Sequence, residues 1–121
     1  MRLLCADDEP DIRTILELAL GLDPGIEAEL FDSGAALLER ARRGGADAVL
    51  LDAMMPGMDG AETCRRLKAD PATAYLPVVF LTARAQRDEV DGLLRTGAIA
   101  CLAKPFDPMT LAAELRAVLP R

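Results

Sequence analysis

Histidine is missing from this chain altogether. That excludes a His-centred zinc site, a Ser–His or Cys–His triad, and any phosphohistidine carried by the chain itself. Tryptophan is missing too, and the only aromatic residues are Phe31, Phe80, Phe106 and Tyr75. With 51% of the residues hydrophobic, a sizeable core is available, but it has to be built from Leu, Val, Ile, Ala and Met. The three cysteines, Cys5, Cys64 and Cys101, are odd in number and lack CxxC spacing, which points to reduced cytosolic thiols rather than a disulfide framework. Bases are outnumbered, 14 to 20, giving a formal charge of −6. An acidic domain gains nothing from counterion release, so direct nucleic-acid binding is not expected. The local cluster Arg40, Arg42, Arg43 reads as a solvated helix end. No apolar run reaches bilayer-spanning length and no charged-then-apolar leader precedes the first strand pattern, so the expectation is a soluble, cytoplasmic protein.

What is present is an alternation of short apolar runs with longer amphipathic stretches. Strand patterns cover residues 2–6, 26–31, 46–51, 77–81 and 99–103. Helix patterns cover 10–22, 34–43, 61–69, 86–96 and 108–119, with Ser33 and Asp107 placed as N-caps and glycines at the ends. The third run is almost entirely apolar, as a strand covered on both faces should be. Five consecutive βα units predict a parallel sheet with helices on both faces, and 121 residues suit one domain over residues 1–121.

In an open α/β sheet, ligands bind outside the carboxyl ends of the strands. Asp7, Asp8 and Glu9 follow the first strand, Asp52 the third, Thr82 the fourth, and Lys104-Pro105 the fifth. In the doubly wound strand order 2-1-3-4-5 the first and third strands are neighbours; in that order Asp7, Asp8 and Asp52 would share one pocket, and Thr82 and Lys104 would close it from the other side. Three clustered carboxylates repel unless a cation is bound. Mg²⁺, an oxygen-seeking ion held by carboxylates and phosphate oxygens, would balance them together with Lys104. An Asp carboxylate is a competent nucleophile toward phosphorus, and the charge of an incoming phosphoryl group needs both Mg²⁺ and a cation such as Lys104. A threonine hydroxyl can donate to a new phosphate oxygen.

The segments Asp7-Asp8, Asp52-Ala53-Met54-Met55-Pro56-Gly57-Met58-Asp59-Gly60, Leu81-Thr82-Ala83 and Lys104-Pro105-Phe106 stand in order, each at a predicted strand end. In them the chain resembles the response-regulator receiver family over essentially its whole length. The resemblance implies a three-layer, flavodoxin-like (βα)5 fold. It implies Asp52 as phosphoacceptor, Mg²⁺ bound directly by Asp8, mainly through water by Asp7, and by Asp52 and the backbone carbonyl of Met54, with Thr82 and Lys104 following the phosphoryl group. It also implies a cis peptide bond before Pro105. The family usually places an aromatic residue three positions before the lysine, where its rotation reports phosphorylation. Here Cys101 stands instead, which shifts the expected readout to the backbone of residues 83–87 and the helix after them.

The function implied is a phosphorylation-activated switch of a two-component phosphorelay. It would be fed by a sensor histidine kinase, a histidine phosphotransfer protein or a small acyl phosphate, and would pass the signal to a downstream effector domain or protein. Phosphorylation-dependent dimerisation through the fourth helix, fifth strand and fifth helix belongs to the same picture. No turnover on free substrates is expected beyond self-phosphorylation and slow self-dephosphorylation. The rival reading, a Mg²⁺-dependent aspartyl-nucleophile phosphatase, requires a second Asp two residues after the nucleophile, where Met54 stands. A flavin-binding module would need a phosphate-binding loop after the first strand, where acids stand. Met54, Met55 and Met58 read as loop and helix packing, Asp88, Glu89 and Asp91 as a solvated face, and Cys101 as an inert strand thiol.

Overall fold

The computed structural model describes residues 1–84 and 86–120. Its elements run β1 (Arg2–Ala6), α1 (Pro10–Gly21), β2 (Glu27–Phe31), α2 (Gly34–Arg42), β3 (Ala48–Asp52), α3 (Gly60–Ala69), β4 (Val78–Thr82), α4 (Arg87–Leu94), β5 (Ala100–Ala103) and α5 (Leu111–Val118). The strands form one parallel sheet, as the strand–helix alternation predicts, in the doubly wound order β2-β1-β3-β4-β5.

The period-two geometry of a strand sends alternate side chains to opposite faces. In β3, Val49 and Leu51 join Leu37, Leu38, Cys64, Leu67 and Phe80 under α2 and α3, while Ala48 and Leu50 join Leu16, Leu20, Leu111 and Leu115 under α1 and α5. Every residue of β3 and β4 is buried, which explains why these strands read as continuous apolar runs. Fully burying one such Leu or Val contributes about 1.5–3 kcal/mol. The polar exceptions at the upper ends of these strands, Asp52 and Thr82, therefore need a reason of their own.

Local chemistry sets the helix ends. The Ser33 side chain accepts from the Ala36 amide to cap α2, and that of Asp59 accepts from Glu62 to cap α3. Gly44, Gly45, Gly57 and Gly97 carry positive φ. The α5 cap differs from expectation. Asp107 caps a turn that precedes the helix: its carboxylate accepts from the Met109 amide at 2.8 Å, and its carbonyl accepts from Thr110 and Leu111. The helix proper starts only after Thr110, because Asp107-Pro108 closes its own turn first. β3 also starts two residues later than its apolar run and ends on Asp52 itself.

Two side-chain expectations are corrected. Arg40 is not solvated: its guanidinium is paired with Glu29 at 3.0 Å and donates to the Gly44 carbonyl, pinning α2 to the edge strand β2. Met54 does not pack; it is exposed, whereas Met55 is buried. Asp88 is exposed, with Glu89 and Asp91 partly so, in keeping with a largely solvated face. The proposed readout loop over residues 83–87 includes Ala85, which lies outside the described residues. Among the described residues no helix is long and apolar enough to cross a membrane.

Candidate functional site

The sheet register brings the site together. Ala6 pairs with Leu51, so one step further along both strands Asp7 lies alongside Asp52. Asp52 pairs with Leu81 and Thr82 with Ala103, and the Lys104 amide then donates to the Thr82 carbonyl at 2.8 Å. Four strand tips thus converge on one hollow. The α3 helix closes it from below. Gly60 donates its amide to the Ala53 carbonyl, and a Cβ at Gly60 would lie 2.3 Å from the Asp52 carbonyl oxygen, so only glycine lets α3 start so close to the strand.

Asp7, Asp8 and Asp52 each offer a carboxylate oxygen, and the three lie within 4.8 Å of one another. Among the described residues this is the one cluster of three such groups. Lys104 reaches in with its ammonium 2.8 Å from Asp7 Oδ2 and 3.3 Å from Asp52 Oδ1. The Met54 amide donates to Asp52 Oδ1 at 3.3 Å. The other oxygen, Asp52 Oδ2, makes no hydrogen bond among the described residues. The Lys104–Pro105 bond is cis, as the resemblance implies.

The electrostatics follow from burial and like charge. The Asp52 carboxyl is pushed above its ordinary range first by desolvation and then by the Asp7 charge, against the pull of Lys104. Burial works to lower the Lys104 ammonium, but its bonds and proximity to Asp7 and Asp52 outweigh that and raise it, so it stays charged. One ammonium does not neutralise three carboxylates. A donor set made only of carboxylate oxygens, with a net charge of about −2 left over, suits a hard divalent ion such as Mg²⁺.

Thr82 is buried beside this hollow. Its hydroxyl accepts from the Arg84 amide at 3.0 Å and donates to the Arg84 carbonyl at 3.2 Å. It borders a cleft of about 310 Å³ between α3 and α4 that Met54, Arg65, Arg84 and Glu89 also line. Cys101 is half-buried on the α4 side of the sheet, and burial raises its thiol, in keeping with an unreactive group.

Two neighbours of the site escaped sequence reasoning. Gly60 stands in the segment that carries the resemblance, but is given no role there. Arg13 donates from its guanidinium to the Asp7 carbonyl at 2.8 Å; its one signal is that it is the only base within α1.

Comparison with known proteins agrees with this geometry. The profile of the family described as "Response regulator receiver domain" matches residues 3–116. The phosphate regulon transcriptional regulatory protein PhoB of Pseudomonas aeruginosa is 38% identical over 121 residues, covering 98% of this chain and 52% of that protein. The chain thus spans about half the length of that relative. The chemotaxis response regulator CheY4 of Vibrio cholerae superposes with a TM-score of 0.89 at 30% identity, over 98% of both chains. The receiver domain of the sensor histidine kinase PA1611 from Pseudomonas aeruginosa superposes with a TM-score of 0.85 at 29% identity, over 97% of this chain and 95% of that one. That structure holds a magnesium ion coordinated in its active site cleft.

Proposed function

Because the chain belongs to the response regulator receiver domain family of two-component systems, we propose that Asp52 accepts a phosphoryl group in a Mg²⁺-dependent reaction and that this changes the surface the domain offers to partners. The observation that carries the reading is the meeting of Asp7, Asp8 and Asp52 within 4.8 Å, with Lys104 3.3 Å from Asp52.

Asp52 Oδ2 is the oxygen offered to phosphorus, since Oδ1 is occupied by the Met54 amide and by Lys104. A bond forms from Oδ2 to phosphorus, and the bond from phosphorus to the donor's nitrogen or acyl oxygen breaks, the electron pair leaving with the donor. Asp8, Asp52 and the Met54 carbonyl, with Asp7 through water, would hold Mg²⁺, which would neutralise charge on the transferring oxygens. Lys104 follows the new negative charge, and the Thr82 hydroxyl turns to donate to a phosphoryl oxygen, releasing Arg84. With Cys101 in place of an aromatic side chain, the movement passes through the Arg84 backbone and α4, which has no fully buried side chain.

These 121 residues hold no histidine, so the donor lies outside them: a sensor histidine kinase, a histidine phosphotransfer protein, or a small acyl phosphate. The recipients are a downstream effector domain or protein, or a second copy meeting it through α4, β5 and α5. The domain turns over no free substrate beyond its own phosphorylation and slow dephosphorylation.

Intact-mass measurement after exposure to acetyl phosphate tests this directly. One added phosphoryl group is expected with Mg²⁺ and none in the presence of a chelator. Labelling that ignores the metal, or no labelling at all, would refute the reading.

A further inference from the structure

Asp7 is held from four directions. Its amide donates to the Phe31 carbonyl at 3.1 Å, Oδ1 accepts from the Glu9 amide at 2.9 Å, Oδ2 accepts from Lys104 at 2.8 Å, and its carbonyl accepts from Arg13 at 2.8 Å. Asp8, next in the chain, makes no hydrogen bond among the described residues. The three successive acids Asp7, Asp8 and Glu9 repel one another, so the turn that presents Asp8 to a cation depends on what grips Asp7.

The usual grip on a helix entry is weak here. Glu9 occupies the N-cap position of α1 without a side-chain cap, and Pro10 follows it, so no N-cap side chain ties the turn to the helix. Arg13 does so instead. Its amide bonds to the Glu9 carbonyl at 3.0 Å while its guanidinium reaches back to the Asp7 carbonyl, spanning the turn from both sides. The bonds to the Asp7 side chain are poorer anchors for this purpose. The Glu9 bond is internal to the turn, and the Lys104 ammonium is shared with Asp52.

We propose that Arg13 is a positioning residue for the divalent cation: its guanidinium clamps the β1–α1 turn so that Asp8 and Asp7 stand ready for Mg²⁺. This rests on the metal-dependent reading of the site given above. Groups that orient metal ligands through one intervening contact typically change affinity by about 10- to 100-fold when removed. The sign of the effect separates this role from simple electrostatics. A guanidinium beside a cation site repels the cation, so by Coulomb's law alone its removal would tighten Mg²⁺ binding. A clamp predicts the reverse.

The experiment is calorimetric titration of MgCl2 into the full chain, without any phosphodonor, for the wild type, Arg13→Met and Arg13→Lys, with the metal-free thermal midpoint recorded for each. The dissociation constant of Arg13→Met should weaken about tenfold. Arg13→Lys, which keeps a charge and a donor, should recover most of that loss. If the methionine variant shows no cooperative unfolding, Arg13→Gln takes its place with the same ordering expected. Unchanged or tighter binding in the variant lacking the clamp overturns the inference while leaving the proposed function standing, and so does an equal loss in both variants. A wild-type chain that binds no Mg²⁺ overturns the proposed function and this inference with it.

Discussion

The hydroxyl of Thr82 is tied twice to one residue, accepting from the Arg84 amide at 3.0 Å and donating to the Arg84 carbonyl at 3.2 Å. A hydroxyl has a single proton, so it cannot serve the Arg84 carbonyl and a phosphoryl oxygen at once. Any new acceptor on Asp52 competes with the bond that holds the start of the β4–α4 loop. Thr82→Val removes both bonds at nearly constant volume and should cost about 1–3 kcal/mol in chemical denaturation. Thr82→Ser should retain most of that stability. A loss in serine with none in valine would show that the methyl packing, not the hydroxyl, was responsible.

Asp52 should make the metal-free protein less stable at neutral pH. Its folded-state proton affinity lies above the ordinary carboxyl value of 3.8, chiefly through burial and the Asp7 charge. The folded state therefore binds that proton more tightly than the unfolded state, and its contribution to stability falls as pH rises from about 3.8 through the raised value. Asp52→Asn stays neutral throughout. In a chelator the variant should gain on the wild type as pH rises above about 3.8, and it should take up no phosphoryl group from acetyl phosphate. Denaturation midpoints across pH read the first effect and intact mass the second. Retained labelling of the variant would move the acceptor elsewhere.

Lys104 is the only protein cation within salt-bridge distance of the acidic hollow among the described residues. Its side chain is 13% exposed and that of Asp7 fully buried, so removing it strands a buried negative charge. Lys104→Met should cost about 3–5 kcal/mol in a chelator. Saturating Mg²⁺ should restore more stability to the variant than to the wild type, because the ion takes over part of the neutralisation. Equal stabilisation of both proteins by Mg²⁺ would disconnect the lysine from the cation.

Gly60→Ala places a Cβ 2.3 Å from the Asp52 carbonyl oxygen and 3.0 Å from the Ala53 Cα. Backbone cannot swing aside as a flexible side chain can, so a loss of about 1–3 kcal/mol is expected. Because the displaced atom belongs to Asp52, the rate of labelling by acetyl phosphate should fall as well. A variant with wild-type stability and rate would mean that α3 can back away from β3 without consequence.

Much of this arrangement was legible in the chain order. Apolar runs alternating with amphipathic stretches, and acids, a hydroxyl and an amine placed just after them, are one-dimensional patterns whose physical cause is local: the period of a strand, the period of a helix, and the burial each demands. The strand order 2-1-3-4-5, and with it the meeting of Asp7, Asp8, Asp52 and Lys104, came instead from the doubly wound fold rule and the family resemblance. Sequence reasoning placed Asp107 at the start of α5, where the structure has it closing a separate turn. It also left Arg40 in solvent, where the structure pairs it with Glu29 across to β2.

What the residues determine by themselves is which groups end each strand, because alternation and capping act over a few positions. Only the folded chain decides who holds whom. Lys104 on Asp7, Arg40 on Glu29 and Gly60 against Asp52 depend on angles and distances between separate elements. Hydrogen bonding and close packing are short-ranged and directional, so no pattern along the chain encodes them until the sheet register has brought those backbones together.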